Sequence, residues 1–326
     1  IRDRIYTDPP KHTRYRRLVS KGFTPRMIGL LEQYLEYRGR LIVDNVIERG
    51  SCDFVEDLAS ELPLQAIAEI MGVPQEDRHL IFKWSNDMIG MDDPEYEGDP
   101  SAAAMELYSY SHQLAAERTI DPQDDIITKL INAEIEGDRL TELEIDMFML
   151  LLSVAGSETT RNATSHGMLA LMQHPDQLEL LMADLDGRLD TAIDEIIRWA
   201  SPVLHFRRTA TADCELGGQQ IRENDKVVMW HVSANRDEDV FDDPFTFDVL
   251  RDPNDHVAFG GGGAHYCLGA NLARAELRII FREILTRIPD MSLAGEPQRL
   301  RSNFIGGIKH LPVTFTPGAR VEPVPA

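Results

Sequence analysis

Cys267 stands inside Phe259-Gly260-Gly261-Gly262-Gly263-Ala264-His265-Tyr266-Cys267-Leu268-Gly269, and few folds can use so much glycine so close to a helix. Glycine lacks a Cβ and tolerates positive φ, so the run describes a backbone laid flat against a partner rather than a packed core. The residues behind it, Ala270-Asn271-Leu272-Ala273-Arg274-Ala275-Glu276-Leu277-Arg278, read as helix and set Cys267 near a helix N-terminus. Free N–H groups and the helix dipole there favour a thiolate over a thiol. The pattern predicts one sulfur presented from a cleared surface, which suits an iron ligand, with haem the first candidate. A buried free thiol beside a turn is the plainer alternative. Zinc lacks a second ligand pair at suitable spacing. The glycines fit neither G-x-G-x-x-G nor a loop followed by Gly-Lys-Ser/Thr.

The chain ahead of this loop is mainly α with a minor β part. Asp8-Pro9-Pro10 is expected to cap a basic helix running to about Lys21. Apolar residues at helical spacing continue through Met27–Glu48, Leu58–Met71, Glu76–Met91 and Ala102–Arg118. Thr141-Glu142-Leu143-Glu144 is a capping box opening a long helix to about Met172, which His174-Pro175 stops. Leu178–Leu185 and Asp190–Ala200 are further helices. After Ser201-Pro202 the spacing becomes strand-like at Phe206–Thr211, Glu215–Leu216, Gln220–Ile221 and Lys226–Ser233. Asp237 to Asp255 is a long loop, and Phe304–Ile308 with Pro312–Phe315 read as a closing hairpin.

A formal charge of −22 argues against nucleic acid as a partner. Three widely spaced cysteines, Cys52, Cys214 and Cys267, make no disulfide framework and fit a reducing cytoplasm. The longest apolar stretch, Met147 to Gly156, is too short for a transmembrane anchor. No signal peptide precedes the first helix. The chain opens on Ile1 inside charged, helix-like sequence, so a preceding segment is expected.

Two more groupings carry chemistry. Ala155-Gly156-Ser157-Glu158-Thr159-Thr160 puts a glycine, an acid and two threonines midway along the long helix. The glycine costs roughly 1 kcal/mol against alanine, and threonine hydroxyls compete for backbone carbonyls. The expectation is a helix that opens locally and holds Glu158 and Thr159 beside an apolar chamber; an ordinary polar stripe reads equally well. Glu195-Ile196-Ile197-Arg198 places two charges on one helix face, which on spacing alone is an exposed pair of small energy.

In this order the three groupings resemble the cytochrome P-450 superfamily of haem-thiolate monooxygenases, over essentially the whole chain. His12-Thr13-Arg14-Tyr15-Arg16 is similar to the family's helix directed at haem propionates, and Arg208 in Arg208-Thr209-Ala210-Thr211 to its propionate arginine. Ala234-Asn235-Arg236-Asp237 and Phe247-Asp248-Val249-Leu250-Arg251 resemble the meander, where Arg251 would complete a triad with Glu195 and Arg198. Glu61–Ala68, Gly72–Arg78, Trp84-Ser85-Asn86, Asp93–Tyr96 and Thr159–Asn162 resemble actinobacterial members that oxidise the terminal carbon of a sterol side chain. A sister group hydroxylates methyl-branched lipids. Phe259 stands eight residues before Cys267 rather than the usual seven, an extra glycine that these lipid oxidisers share.

The resemblance implies a single haem-thiolate domain over 1–326 with the P-450 fold, lacking the family's amino-terminal strands and helices, and hence poor stability for this chain alone. It implies haem b held by Cys267, propionates on His12, Arg16, Arg208 and His265, and Phe259, Gly260, Gly269 and Ala155 against the cofactor. Glu158 and Thr159 would deliver protons to bound O2. A haem-thiolate sensor is the reading from another class, and it needs no proton relay. No flavin or nicotinamide motif is present, so electrons must come from a partner, an acidic ferredoxin with its reductase. Residues 1–26 hold Arg2, Arg4, Lys11, Arg14, Arg16, Arg17, Lys21 and Arg26 against Asp3 and Asp8, and Arg274, Arg278 and Arg282 follow the cysteine loop. Arg14, Arg17, Arg274 and Arg278 are the expected docking face.

Overall fold

Four of the helices begin at a side-chain cap that the sequence offers. The computed structural model describes residues 8–23, 25–135 and 137–321. It forms α1 (Lys11–Val19), α2 (Pro25–Ile47), α3 (Glu61–Met71), α4 (Arg78–Ile89), α5 (Pro100–Ile120) and α6 (Ile126–Ile131). Then come the long α7 (Glu142–Gln173), α8 (Pro175–Met182), α9 (Leu185–Ala200), the single turn α10 (His231–Ala234) and α11 (Ala270–Arg287). Thr141 closes the capping box with Glu144 at the start of α7, and Asp99 and Asp125 accept from Ser101 N and Thr128 N at the starts of α5 and α6. Such caps contribute about 1 kcal/mol each. α1 departs from expectation: Pro10 occupies its N-cap, and Asp8 accepts from His12 N through its backbone carbonyl at 3.0 Å rather than through its side chain. The helix expected from Leu58 begins as a π turn, Val55–Ala59, and becomes α only at Glu61.

The strands are short: β1 (Ser51–Asp53), β2 (Glu134–Ile135), β3 (Asp138–Arg139), β4 (His205–Thr209), β5 (Cys214–Leu216), β6 (Gln219–Ile221), β7 (Lys226–Trp230), β8 (Ser292–Leu293), β9 (Gln298–Arg299), β10 (Ile308–His310) and β11 (Pro312–Thr314). β4 pairs antiparallel with β7, which ends at Trp230 and turns into α10 instead of running to Ser233. The expected closing hairpin does not form. β10 pairs with β9, while β11 lies between β1 and β8 in a separate sheet. Only the buried Leu311 separates β10 from β11, too little chain for a hairpin turn.

α7 is the axis of the core, packed by α3, α5, α9 and α11. Ser157, Glu158, residues 160–165 and residues 167–171 are all buried, as expected of a helix enclosed on every side. Its glycines make room for neighbours. A Cβ on Gly167 would lie 2.6 Å from Ile196 Cγ2 and 2.8 Å from Phe281 Cζ, and one on Gly156 would lie 2.5 Å from Ile67 Cδ1. This replaces the expected local opening: α7 is unbroken from Glu142 to Gln173, and Gly156 serves close approach to α3.

Candidate active site

The site is held from below by one buried carboxylate. Glu195 accepts from Arg198 Nε and Nη2, each at 2.7 Å, and from Arg251 Nε at 3.2 Å, with all three residues buried. These are not surface charges. The guanidinium of Arg198 also reaches the carbonyls of Asn235 and Pro244 (2.7 and 2.9 Å), and that of Arg251 reaches Asp242 and Thr246 (2.6 and 3.0 Å). Asp248 N and Asn254 Nδ2 add donors to Glu195. The loop from Asn235 to Asn254 sinks Phe241, Phe247 and Val249 into the core and is otherwise organised around charge-assisted bonds.

Asn235 carries this order to the cysteine loop. Its Nδ2 donates to Ser201 Oγ at 2.9 Å, and its Oδ1 accepts from Val257 N at 2.7 Å. Two residues on, Phe259 O accepts from Cys267 N at 2.9 Å. Gly260, Gly262 and Gly263 have φ of 94°, 96° and 78°, and a Cβ on Gly262, Gly263 or Gly269 would meet nothing within 4 Å. Residues 261–264 and Cys267 are exposed. The Arg274 guanidinium lies 4.7 Å from the Phe259 ring centroid.

Opposed influences act on the Cys267 sulfur. Desolvation by the loop around it raises the thiol's pKa, although the residue keeps an exposed face, while the Gly269 N–H bonded to it and the nearby Arg16 and Arg274 lower it. Coordination to iron, which deprotonates a thiol, would act with the Gly269 N–H and the two arginines in favouring the thiolate.

Four nitrogen donors gather beside the loop. The His12 and His265 rings stack at 4.1 Å between centroids, and Arg16 Nη1 donates to Tyr266 O at 2.6 Å. Burial and the charges of Arg208 and Arg16 push the His265 pKa down, which places both arginines around that ring. Asp8 Oδ1, on an exposed residue, lies 3.7 Å from His265 Nε2. Among the described residues no carboxylate pairs with Arg16 or Arg208. A cleared glycine surface, one sulfur with an N–H donor, and two arginines without a carboxylate partner among the described residues fit a flat iron cofactor with two carboxylates.

On α7, Ala155 is exposed and Thr159 half-buried in a helix whose next turns are enclosed, and Thr159 Oγ1 donates to Ala155 O at 2.8 Å. Glu158 is fully buried and bonded to Arg161 rather than to Thr159. Burial raises its pKa, and Arg161 opposes the rise. Glu158 Oε1 has no hydrogen-bond partner among the described residues.

The expected docking face is altered. Arg274, Arg278 and Arg282 pair with Asp194, Asp190 and Asp186 of α9 at 2.8, 2.7 and 2.9 Å, so α11 presents a neutralised ladder rather than free cations. Arg17 remains exposed on α1, and Arg14 Nη2 donates to Arg139 O at 3.1 Å. Arg2, Arg4 and the side chains of Lys21 and Arg26 lie outside the described residues. Asn235, Asn254, Arg161, Asn86 and the three aspartates escaped the sequence reading as site residues. Only the aspartates had a signal there, a spacing of four that mirrors the arginines.

Residues 45–288 match the family described as Cytochrome P450. The chain is 52% identical over 310 residues to the steroid C26-monooxygenase of Mycolicibacterium smegmatis, covering 95% of this chain and 72% of that protein. It is 46% identical to the methyl-branched lipid omega-hydroxylase of Mycobacterium tuberculosis, covering 96% and 74%. Its fold superposes with a TM-score of 0.92 on Mycobacterium marinum cytochrome P450 CYP268A2 in complex with pseudoionone, at 44% identity over 96% of this chain and 77% of that one. On these grounds the chain belongs to the cytochrome P450 family of haem-thiolate monooxygenases, with haem b as its cofactor and the Cys267 thiolate as axial ligand.

Proposed function

We propose that this protein, acting as one domain over 1–326, hydroxylates the unactivated terminal C–H of a sterol side chain with O2 and two electrons from an acidic ferredoxin and its reductase. The carrying observation is the cleared, exposed Cys267 loop, held through Asn235 to the buried Glu195 centre. Support for a sterol is the 52% identity with a protein named for steroid C26 oxidation.

When bound, haem supplies activation of O2 and transfer of one oxygen atom to carbon. The chain's own residues do the remaining work. Gly269 N–H draws charge from the Cys267 sulfur, a contact that tunes iron potentials. His12, Arg16, Arg208 and His265 would hold the propionates, with Phe259, Gly260, Gly269 and Ala155 against the macrocycle. Glu158, whose Oε1 is without a partner among the described residues, and Thr159, next to it in sequence, would together supply protons during turnover. An apolar substrate offers no chemical handle, so the carbon attacked is set by how it is held.

Electrons would enter at α1, where Arg14 and Arg17 supply the positive face. Unpaired cysteines and a cellular electron donor support a cytoplasmic location. No helix among the described residues is long and apolar enough to cross a membrane.

A reduced carbon monoxide difference spectrum of the haem-loaded protein should carry the thiolate signature and lose it in Cys267→Ser. Spin-state titration with a sterol enone and with a methyl-branched fatty acid then decides the substrate. Tighter response to the fatty acid would favour the branched-lipid reading, and binding without product would favour a sensor. Arg14→Glu with Arg17→Glu should slow reduction and flatten its salt dependence; unchanged kinetics would overturn α1 docking.

A further inference from the structure

Arg161 is buried to 4% exposure, stands one helical turn beyond Glu158 on α7, and is committed in three directions. Its Nη2 donates to Glu158 Oε2, its Nη1 to Asn86 Oδ1 of α4 at 3.0 Å, and its guanidinium carbon lies 5.3 Å from the Phe82 ring centroid. A planar guanidinium fixed at two prongs and over one ring has little freedom to turn. Glu158 is fixed with it, through one oxygen only. Oε2 is occupied, and Oε1 is buried without a partner.

We infer that Arg161, anchored to Asn86, is the positioning residue for Glu158: it occupies Oε2 and thereby leaves Oε1 as the oxygen that carries and releases the proton. The inference rests on the proposed role of Glu158 as proton donor. A carboxyl buried with no cation would keep its proton, and one gripped at both oxygens would never regain it. Contact at a single oxygen lies between these limits, as a group that must both give and recover a proton requires. Burial and Arg161 pull the Glu158 carboxyl in opposite directions, in keeping with this. The other titratable group on this pair is Tyr96, from the segment between α4 and α5, whose phenol burial raises, with Arg161 lowering and Glu158 raising it.

The test uses haem-loaded protein and infrared difference spectroscopy, with the Glu158 carboxyl band assigned by its loss in Glu158→Gln. In Arg161→Met the protonated band should persist to a pH higher by roughly one to three pH units. Arg161→Lys should restore part of that shift, and Asn86→Leu, which leaves the charge in place, should move the band the same way by less. Product formed per reductant should fall in the same order, with peroxide making up the loss, while haem content stays unchanged. If the band titrates alike in all four proteins while Glu158→Gln is uncoupled, the inference fails and the donor role survives. If Glu158→Gln remains fully coupled, both fail.

Discussion

Glu276 offers a measurement of what a single buried proton is worth. It lies on α11, 2% exposed, where that helix packs on α2, α7 and α9, and its Oε2 has no partner. Burial alone pushes its pKa from 4.5 to about 8. The folded protein therefore keeps a proton that the unfolded chain releases. The associated stability is whole below about pH 4.5, falls as pH rises and is gone above about pH 8. At 1.36 kcal/mol per pH unit, the loss between about pH 5 and about pH 8 comes to roughly 3.5 kcal/mol. Glu276→Gln keeps the shape and cannot ionise in either state. Its stability relative to the parent should rise by that amount across the same interval, on top of a constant offset for the buried amide. With an unfolding entropy of about 2.1 cal/mol/K per residue, the melting temperatures should diverge by roughly 5 °C. Denaturant and thermal unfolding of the haem-loaded proteins at matched pH would read this. A difference independent of pH would refute the reasoning, because it would mean that Glu276 is ionised in the folded state.

Glu195→Gln should destabilise by roughly 3–5 kcal/mol, since Arg198 and Arg251 are left buried without their anion, and the haem-to-protein ratio should fall as the loop ahead of Cys267 loosens; full haem retention would contradict the link through Asn235. Gly167→Ala should destabilise by roughly 1–3 kcal/mol through its clash with Ile196 and Phe281, against the gain of about 1 kcal/mol expected in an open helix, so a higher melting temperature would sink that account. Thr159→Ala should leave haem binding intact and divert electrons to peroxide, which a coupling assay reads; unchanged coupling removes Thr159 from the relay. Burial works against a charged His310, but hydrogen bonds to Glu95 and Asp53 outweigh it and raise its pKa. The stability it contributes is present below the ordinary histidine value and lost as pH rises through the raised one. The melting-temperature advantage of the parent over His310→Gln should therefore shrink toward alkaline pH, and a constant advantage would dismiss the ionic role.

Features written within one turn of chain were legible in the sequence. The capping box at Thr141, the stop at His174-Pro175 and the helix behind Cys267 each depend on residues a few positions apart. Partnerships across the chain were not. Phe304–Ile308 and Pro312–Phe315 read as a hairpin because nothing local tells Val313 that it will face Cys52 and Leu293, far away in sequence. Asn235 and Asn86 stood inside stretches that carry the family resemblance, yet their bonding roles were hidden because a single amide has no spacing to detect. Gly156 was misread for a related reason: its purpose is Ile67 of α3, not the backbone around it. The arginine row on α11 was seen but not its counterpart, although Asp186, Asp190 and Asp194 repeat at the same interval.

That counterpart makes a vernier of two antiparallel helices. Each rung, partly open to water, is worth little as a bond. Matched steps of four residues nevertheless mean that the two rows fall back into register only after a slide of about 6 Å, and any such slide strands an unpaired charge at both ends. The base of α9 is bolted by Glu195 to the loop approaching Cys267, and the foot of α11 begins just beyond it. The ladder thus marks the register of α11, which starts three residues after Cys267, against α9.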